Sequence, residues 1–367
     1  MLQIGKTILR ERKRRQITQD TLAAYCRVSK ASVSKWEKEQ SYPDITLLPK
    51  IAAYFEMTVD ELLGYERQLS KEEIQNCYHS FAERFGKEPF DTVLLAVEEK
   101  VKDYYHEPAL LLQMSILLLN HHMLSTGGAA ILQRADEWLE RIRNVSEDVW
   151  MLRQANTLQA TAALMQADPE TTLRLLDGVV KPMIGDEMLL AKAYEQVDNK
   201  EEAKRVIQVM MFQNILQLVG SSPLYLSLSD YDSPSFTETL RRTNGLVELY
   251  SLRKLHPNVC LQFYYGAAQC AALNGDRKTL YTYLTRYVEG CVNDMFPFSL
   301  RGDAYFDLLE DWLTEQLDLG TSALRNTEVI KQSMIESMDA PFFESFQEDQ
   351  EMQELRDRLR WGLEEQS

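Results

Sequence analysis

The sequence predicts an all-α fold in two parts: a small N-terminal bundle of five short helices, then an α-solenoid of helical hairpins. Three observations predict it. Almost every stretch of the 367-residue chain carries apolar residues at helical spacing, and no long alternating β-branched run marks a sheet. Helix start signals recur at short intervals through the first 64 residues. Paired helical stretches joined by Asp, Asn, Pro or Gly turns then repeat from about residue 108 onward.

The first helix is expected over Ile4 to Arg14, with Ile4 and Ile8 on its inner face. Thr18 is placed to cap the second, which carries Leu22, Ala23 and Cys26 inward, and Ser29 the third, which carries Val33 and Trp36. Thr46 is placed to cap the fourth. Pro49 then falls in its first turn, where a missing N–H is tolerated, and Ile51, Ala52 and Phe55 form its apolar side. Thr58 with Glu61 spells a capping box for the last short helix, which carries Leu62 and Leu63 and can stop at Gly64. Residues 67–90 are charged and helical in pattern and read as a linker helix between domains at 1–66 and 91–367.

Four hairpins follow. They are expected at Pro108–Met123 with Ala129–Asn144, Glu147–Gln166 with Glu170–Val180, Asp186–Gln196 with Lys200–Val219, and Asn258–Leu273 with Arg277–Glu289. The turns at Asp168 and Asp198 lie 30 residues apart, near the 34-residue period of tetratricopeptide repeats. Leu190-Ala-Lys-Ala-Tyr194 and Phe263-Tyr-Tyr-Gly-Ala-Ala268 resemble the small-residue core of such repeats, so the array reads as tetratricopeptide-like. Ser221 to Ser235, with Pro223 and Pro234, is expected as an interrupting loop. Phe342 to Leu363 places Met352, Leu355, Leu359 and Leu363 on one face of a C-terminal capping helix.

Composition narrows the function. The net charge is −16, yet residues 1–38 hold ten Lys and Arg against three acids. Residues 1–64 sum to +3 and the remainder to −19. This is the pattern of a basic face for a polyanion on an acidic body. The five cysteines lack C-x-x-C spacing, and the adjacent pair His121-His122 points in diverging directions on a helix. Neither suggests a metal site or a cofactor. No secretory leader is visible, and the most apolar run, Ala109 to Leu119, is too short to span a bilayer. A cytoplasmic location is expected. No phosphate loop, H-E-x-x-H or G-x-S-x-G appears, so no enzyme is expected.

The stretch Thr18 to Asp44 carries the most specific signal. Thr18-Gln19, Leu22-Ala23, Val28-Ser29, Val33-Ser34-Lys35-Trp36-Glu37 and Tyr42-Pro43-Asp44 fall in register with one another. So do Leu47 to Ala52 and Val59 to Leu63. Together they resemble the Cro/CI (XRE) family of helix-turn-helix regulators, over about 60 residues. The resemblance implies a lambda-repressor-like bundle whose third helix enters the DNA major groove. It places Lys30, Ala31, Ser34 and Lys35 at base edges, Gln19 and Ser32 at phosphates, and Arg12 with Glu37 as a pair bracing the first helix to the third. The family often has glycine where this chain has Arg27, Glu39 and Glu56, and an apolar residue where it has Glu11.

A helix-turn-helix followed by a repeat array also looks like the peptide-sensing quorum regulators of Gram-positive bacteria. That likeness is one of architecture. It implies an operator DNA partner, a homodimer through the C-terminal domain and a signalling peptide in a groove, which Asn120, Asn156, Asn214, Tyr264 and Tyr265 could line. Two alternatives stay open: a repeat domain that only dimerises or docks a protein, and an interaction module that has lost DNA binding.

Overall fold

The computed structural model describes residues 4–63 and 69–365. They fall into two compact units, residues 1–69 and 70–367. Among the described residues the regular structure is all helical, with a single isolated bridge between Ser299 and Ser322 in place of a sheet.

The N-terminal unit comprises α1 (Ile4–Arg14), α2 (Gln19–Cys26), α3 (Lys30–Glu37), α4 (Leu48–Tyr54) and α5 (Val59–Leu63). Thr18 Oγ1 accepts from Thr21 N at 3.1 Å, and Ser29 Oγ accepts from Ser32 N at 3.1 Å. These caps satisfy amide groups that a first helical turn leaves orphaned. Thr58 and Glu61 close the expected capping box. Thr46 does not cap α4. A 3-10 turn, Ile45–Leu47, precedes that helix, and Asp44 Oδ1 caps the turn by accepting from Thr46 N at 2.9 Å. A carboxylate two residues upstream is the stronger acceptor, and the Thr46 hydroxyl donates to the same oxygen. Gly64 and the expected boundary at 66–67 lie outside the described residues.

Ile8, Leu22, Val33, Ile51 and Leu62 are fully buried and form the centre of this unit's core. α1 crosses α3 closely: a Cβ at Gly5 would stand 2.1 Å from the Trp36 carbonyl oxygen, so only glycine fits there.

The C-terminal unit opens with α6 (Lys71–Phe85), capped by a box between Ser70 and Glu73, and α7 (Phe90–Asp103). α6 buries Tyr78 and Phe85 and packs on α8. Hairpins follow: α8 (Pro108–His121) with α9 (Gly128–Val145), then α10 (Val149–Met165) with α11 (Pro169–Leu175), then α12 (Asp186–Gln196) with α13 (Lys200–Ser227). Helix α11 stops at Leu175 rather than at Val180. α14 (Pro234–Leu249) and the short α15 (Leu252–Leu255) lead into the most deeply buried hairpin, α16 (Pro257–Leu273) and α17 (Arg277–Asn293). α18 (Glu310–Gln316), α19 (Thr327–Ser337) and α20 (Gln350–Glu364) complete the unit, and α20 packs on α17. The expected C-terminal face is buried at Met352, Leu355, Leu359 and Leu363, although the helix begins at Gln350 after a 3-10 stretch, Pro341–Phe346.

The loop expected at Ser221–Ser235 is shorter than that and occupies only residues 228–233. α13 runs through Pro223 to Ser227, and Pro234 opens α14. Proline removes the donor that would bond the carbonyl four residues back. Here that carbonyl, Val219 O, accepts from the Ser222 hydroxyl at 2.6 Å instead. The ring of Pro223 rests on Gly266 of α16, where an added Cβ would come within 2.7 Å of it. A side-chain donor and a facing glycine thus let the helix continue.

An irregular stretch from about residue 294 to 326, containing α18, ties the ends of this unit together. Tyr78 OH donates to Leu324 O at 3.1 Å, His79 Nε2 lies 2.9 Å from Leu319 O, and Asn326 Nδ2 donates to Glu83 Oε2 at 2.6 Å. The first helix of the unit is therefore held by its last third, a contact that crosses some 240 residues of sequence.

Candidate nucleic-acid interface

The α2–α3 pair presents α3 as a short helix with two unlike faces. Val33, Trp36 and Glu37 turn inward; Lys30, Ala31 and Lys35 are exposed, and Ser32 and Ser34 are half-buried. Eight residues at 1.5 Å each give a rod of about 12 Å, the width of the B-DNA major groove. The side chains at its open face are short or flexible, so the backbone can approach base edges closely.

What fixes α3 is a buried ion pair at its C-terminal end. Arg12 Nε donates to Glu37 Oε1 at 2.5 Å and its second arm to Glu37 Oε2 at 3.0 Å, a two-pronged geometry. Arg12 also donates to Ile17 O at 2.8 Å, which ties the end of α1 into the same network. The side chains keep only 14% and 4% of their exposure. Burial alone would push the Glu37 carboxyl up. The hydrogen bonds from Arg12 and Gln19 and the charges of Arg12 and Lys13 together outweigh it and hold the carboxyl below the usual glutamate range.

Three of the residues expected at DNA are engaged within the unit. Gln19 Nε2 donates to Glu37 Oε2 at 2.7 Å, so its amide sits in the bracing network. Lys30 Nζ pairs with Asp20 Oδ2 at 2.7 Å, with both side chains more than half exposed. Asp20 was not singled out from sequence; an acid at the start of α2 ten residues before a recognition lysine was the available signal. The Ser32 hydroxyl shares a hydrogen bond with the Ser29 cap at 2.9 Å. Lys35 and Ala31 are exposed, and their side chains meet no hydrogen-bond or ion-pair partner among the described residues.

The three positions where the resemblance leads one to expect glycine all adopt left-handed backbone: Arg27 at φ 58°, Glu39 at φ 57° and Glu56 at φ 50°. The turns keep the glycine geometry without the glycine. Glu11 is buried at 5% exposure and is flanked by Arg10 at 3.2 Å and Arg14 at 2.7 Å. Those two arginines supply the compensation that an apolar residue would not need.

The residues expected to line an effector groove separate. Asn120 and Tyr265 both line one cavity of about 590 Å³ in the C-terminal unit. Tyr264 is buried in the core at 3% exposure, Asn156 donates to Leu175 O at 2.7 Å, and Asn214 is exposed on α13. Gln113 and Arg325 line the cavity as well. Sequence reasoning did not single them out, because the segment carrying Arg325 has no periodicity that would place it near α8.

Among the described residues no cluster of His, Cys, Asp and Glu could hold a metal ion, and no helix is long and apolar enough to cross a membrane.

Comparison with known proteins agrees with the geometry of the N-terminal unit. The HTH-type transcriptional activator BcrR of Enterococcus faecalis is 32% identical over 75 residues, which are 20% of this chain and 37% of that protein. The chain thus spans just over a third of that relative's length. Among solved structures, that of Bacillus thuringiensis PlcR in complex with the peptide PapR7 and DNA aligns over 79% of this chain and 95% of its own, at 15% identity and a TM-score of 0.29. The apo form of the competence regulator ComR from Streptococcus vestibularis aligns over 79% and 92%, at 16% identity and a TM-score of 0.26. A protein-family model described as Helix-turn-helix matches residues 8–62. The N-terminal unit of this chain is therefore a helix-turn-helix domain of the Cro/CI type.

Proposed function

We propose that this protein is a sequence-specific DNA-binding transcriptional regulator that reads its operator with α3. The observation that carries the reading is the exposed polar face of α3, held rigid by the buried Arg12–Glu37 pair on a basic N-terminal segment. Lys30 and Lys35 donate to guanine O6 and N7, Ala31 meets a thymine methyl, and Ser34 reaches a base edge. Gln19 and Ser32 contact flanking phosphates. Lys30 leaves Asp20 to do so; that pair is exposed and worth at most about 1 kcal/mol, so it opposes binding only weakly. Recovery of bound DNA across the genome, followed by gel shifts on the enriched sites, tests this: one recurrent sequence supports it, and uniform coverage overturns it.

One such domain covers a half-site, so the regulator works as a homodimer with half-sites roughly 34 Å apart. The dimer contact we propose lies between α11 and α12. Val179, Val180, Met183, Ile184 and Leu189 are 70%, 96%, 75%, 87% and 71% exposed there. Monomers rarely leave so much contiguous apolar surface open. A second copy is the occupant, because the DNA reading requires two copies. Val180→Asp with Ile184→Asp should halve the solution mass at micromolar concentration; a wild-type chain that is already monomeric, with and without DNA, refutes it.

The C-terminal unit also senses a peptide or other small effector through the cavity lined by Asn120 and Tyr265. Its volume lies within the range of small-ligand sites. Stabilisation of the full chain by an effector, with a parallel change in DNA affinity, is the expected outcome; an effector that alters neither contradicts this role.

A further inference from the structure

The cavity in the C-terminal unit measures about 590 Å³, enough for a ligand of drug size. Its wall is mostly apolar, with Leu261, Tyr265, Met295, Phe298, Leu324 and Met334 prominent. Two polar features in that wall stand out. Arg325 is half-buried at the cavity, and among the described residues no carboxylate lies within ion-pair distance of its guanidinium. Burial lowers its pKa from the ordinary arginine value, and the Tyr78 hydroxyl is the one group that counters this. The second feature is Gln113 of α8, only 3% exposed. Its Nε2 donates to Asp318 Oδ2 at 3.2 Å. A carboxylate accepts and does not donate, so the amide orientation is fixed and Oε1 is the acceptor left over. That oxygen is buried and meets no donor among the described residues. Buried polar groups in folded proteins are paired in the great majority of cases, and an exception calls for an explanation.

A cation seeking an anion and an acceptor seeking a donor therefore share one apolar wall. We infer that this cavity binds an apolar carboxylate, with its carboxylate on Arg325, its hydrocarbon body along the Leu261–Phe298–Met334 wall, and an N–H or O–H of the ligand on Gln113 Oε1. The planar guanidinium fork matches a carboxylate in two-pronged geometry, which a hydroxyl or an amide does not reproduce. The inference deepens the sensing role proposed above and rests on it only for its consequence at DNA. The same chemistry is offered by an N-acyl amino acid and by the C-terminal end of a short apolar peptide.

The test uses the full chain and four probes: N-octanoylglycine, its amide, an apolar tetrapeptide with a free C-terminus, and the same peptide amidated. Thermal shift and calorimetry should show at least one free acid binding, and its amide binding roughly tenfold to hundredfold more weakly. Whichever acid binds more tightly identifies the source. Arg325→Gln should bind acid and amide alike, while Arg325→Lys should keep the acid preference. A urea midpoint without ligand checks that each variant is folded, and the acid–amide comparison on the wild type stands even if one is not. The proposal is overturned if neither free acid binds below about 1 mM, if acid and amide bind equally to the wild type, or if Arg325→Gln still discriminates. An acid that binds without changing DNA affinity would leave this site standing and remove the sensing role. A different effector that changes DNA affinity, with no acid bound, would do the reverse.

Discussion

Removing Arg12 should destabilise the reading head without touching its DNA-facing surface. In Arg12→Met the Glu37 carboxylate, 4% exposed, loses both prongs of its partner and keeps one hydrogen bond, from Gln19. Breaking a buried ion pair from one side costs roughly 3–5 kcal/mol. The remaining Gln19 bond and the 14% exposure of Arg12 put this case at the lower end, about 3 kcal/mol. A unit of some 60 residues has a stability of only about 3–9 kcal/mol, so a third or more of it is at stake. The midpoint should fall by roughly 12–24 °C. Hydrogen exchange on peptides from residues 4–63 of the full chain reads this unit separately from the rest. The double variant Arg12→Met with Glu37→Leu should recover most of the loss, because no buried charge is then left unpaired. The pH sign follows from the depressed Glu37 carboxyl: the stabilisation is fully present above the unfolded glutamate value near 4.3 and is lost as pH falls through the lower folded value. A loss under 1 kcal/mol in Arg12→Met, or a double variant less stable than the single one, would refute the bracing role.

Three further outcomes follow from other contacts. Gly266→Ala should destabilise the C-terminal unit by roughly 1–3 kcal/mol, since its Cβ would stand 2.7 Å from Pro223; an unchanged urea midpoint contradicts this. At the left-handed Arg27, glycine should be neutral to about 0.5 kcal/mol stabilising, whereas Arg27→Val should lose about 1 kcal/mol or more; equal melting of the two variants would show that the backbone there is unstrained. His121 is buried against Phe85, and desolvation, helped by the charge of Arg325, lowers its pKa to about 4 despite its bond to Leu117 O. An imidazole with a folded value below the unfolded 6.5 withdraws stability as pH falls below 6.5, reaching about 3 kcal/mol near pH 4. His121→Phe should flatten that slope in urea titrations at pH 7, 5.5 and 4.5, with burial of His256 leaving a residual slope of the same sign; an unaltered slope contradicts it.

The N-terminal unit was legible because its information is local. Thr18, Ser29 and the Thr58–Glu61 box announce helix starts within four residues of themselves, and Ile4 with Ile8, Leu22 with Cys26 and Val33 with Trp36 keep helical spacing toward one core. The exception, Asp44 in place of Thr46, arose because a 3-10 turn ahead of α4 moved the cap upstream. Arg12 and Glu37 are 25 residues apart and were paired by family resemblance alone. In the C-terminal unit the hairpins with Asp or Asn–Gly turns were legible for the same local reason. Pro223 misled, because its tolerance inside α13 depends on Gly266, 43 positions away, and on the Ser222 hydroxyl. The 294–326 stretch was invisible: its role lies in bonds such as Tyr78 to Leu324 that no spacing encodes. That is also why Asn120 and Tyr265 could be named while Gln113 and Arg325, lining the same cavity, could not.

The central claim is that α3 reads DNA sequence through Lys30 and Lys35. Its most direct test is competition binding of the full chain to a genome-derived site against unrelated DNA at physiological salt. The wild type should prefer its site by roughly a thousandfold or more, and Lys30→Ala with Lys35→Ala should bring that preference close to unity while residues 4–63 keep their exchange protection. A double variant that still picks out the site would place the reading elsewhere than on α3.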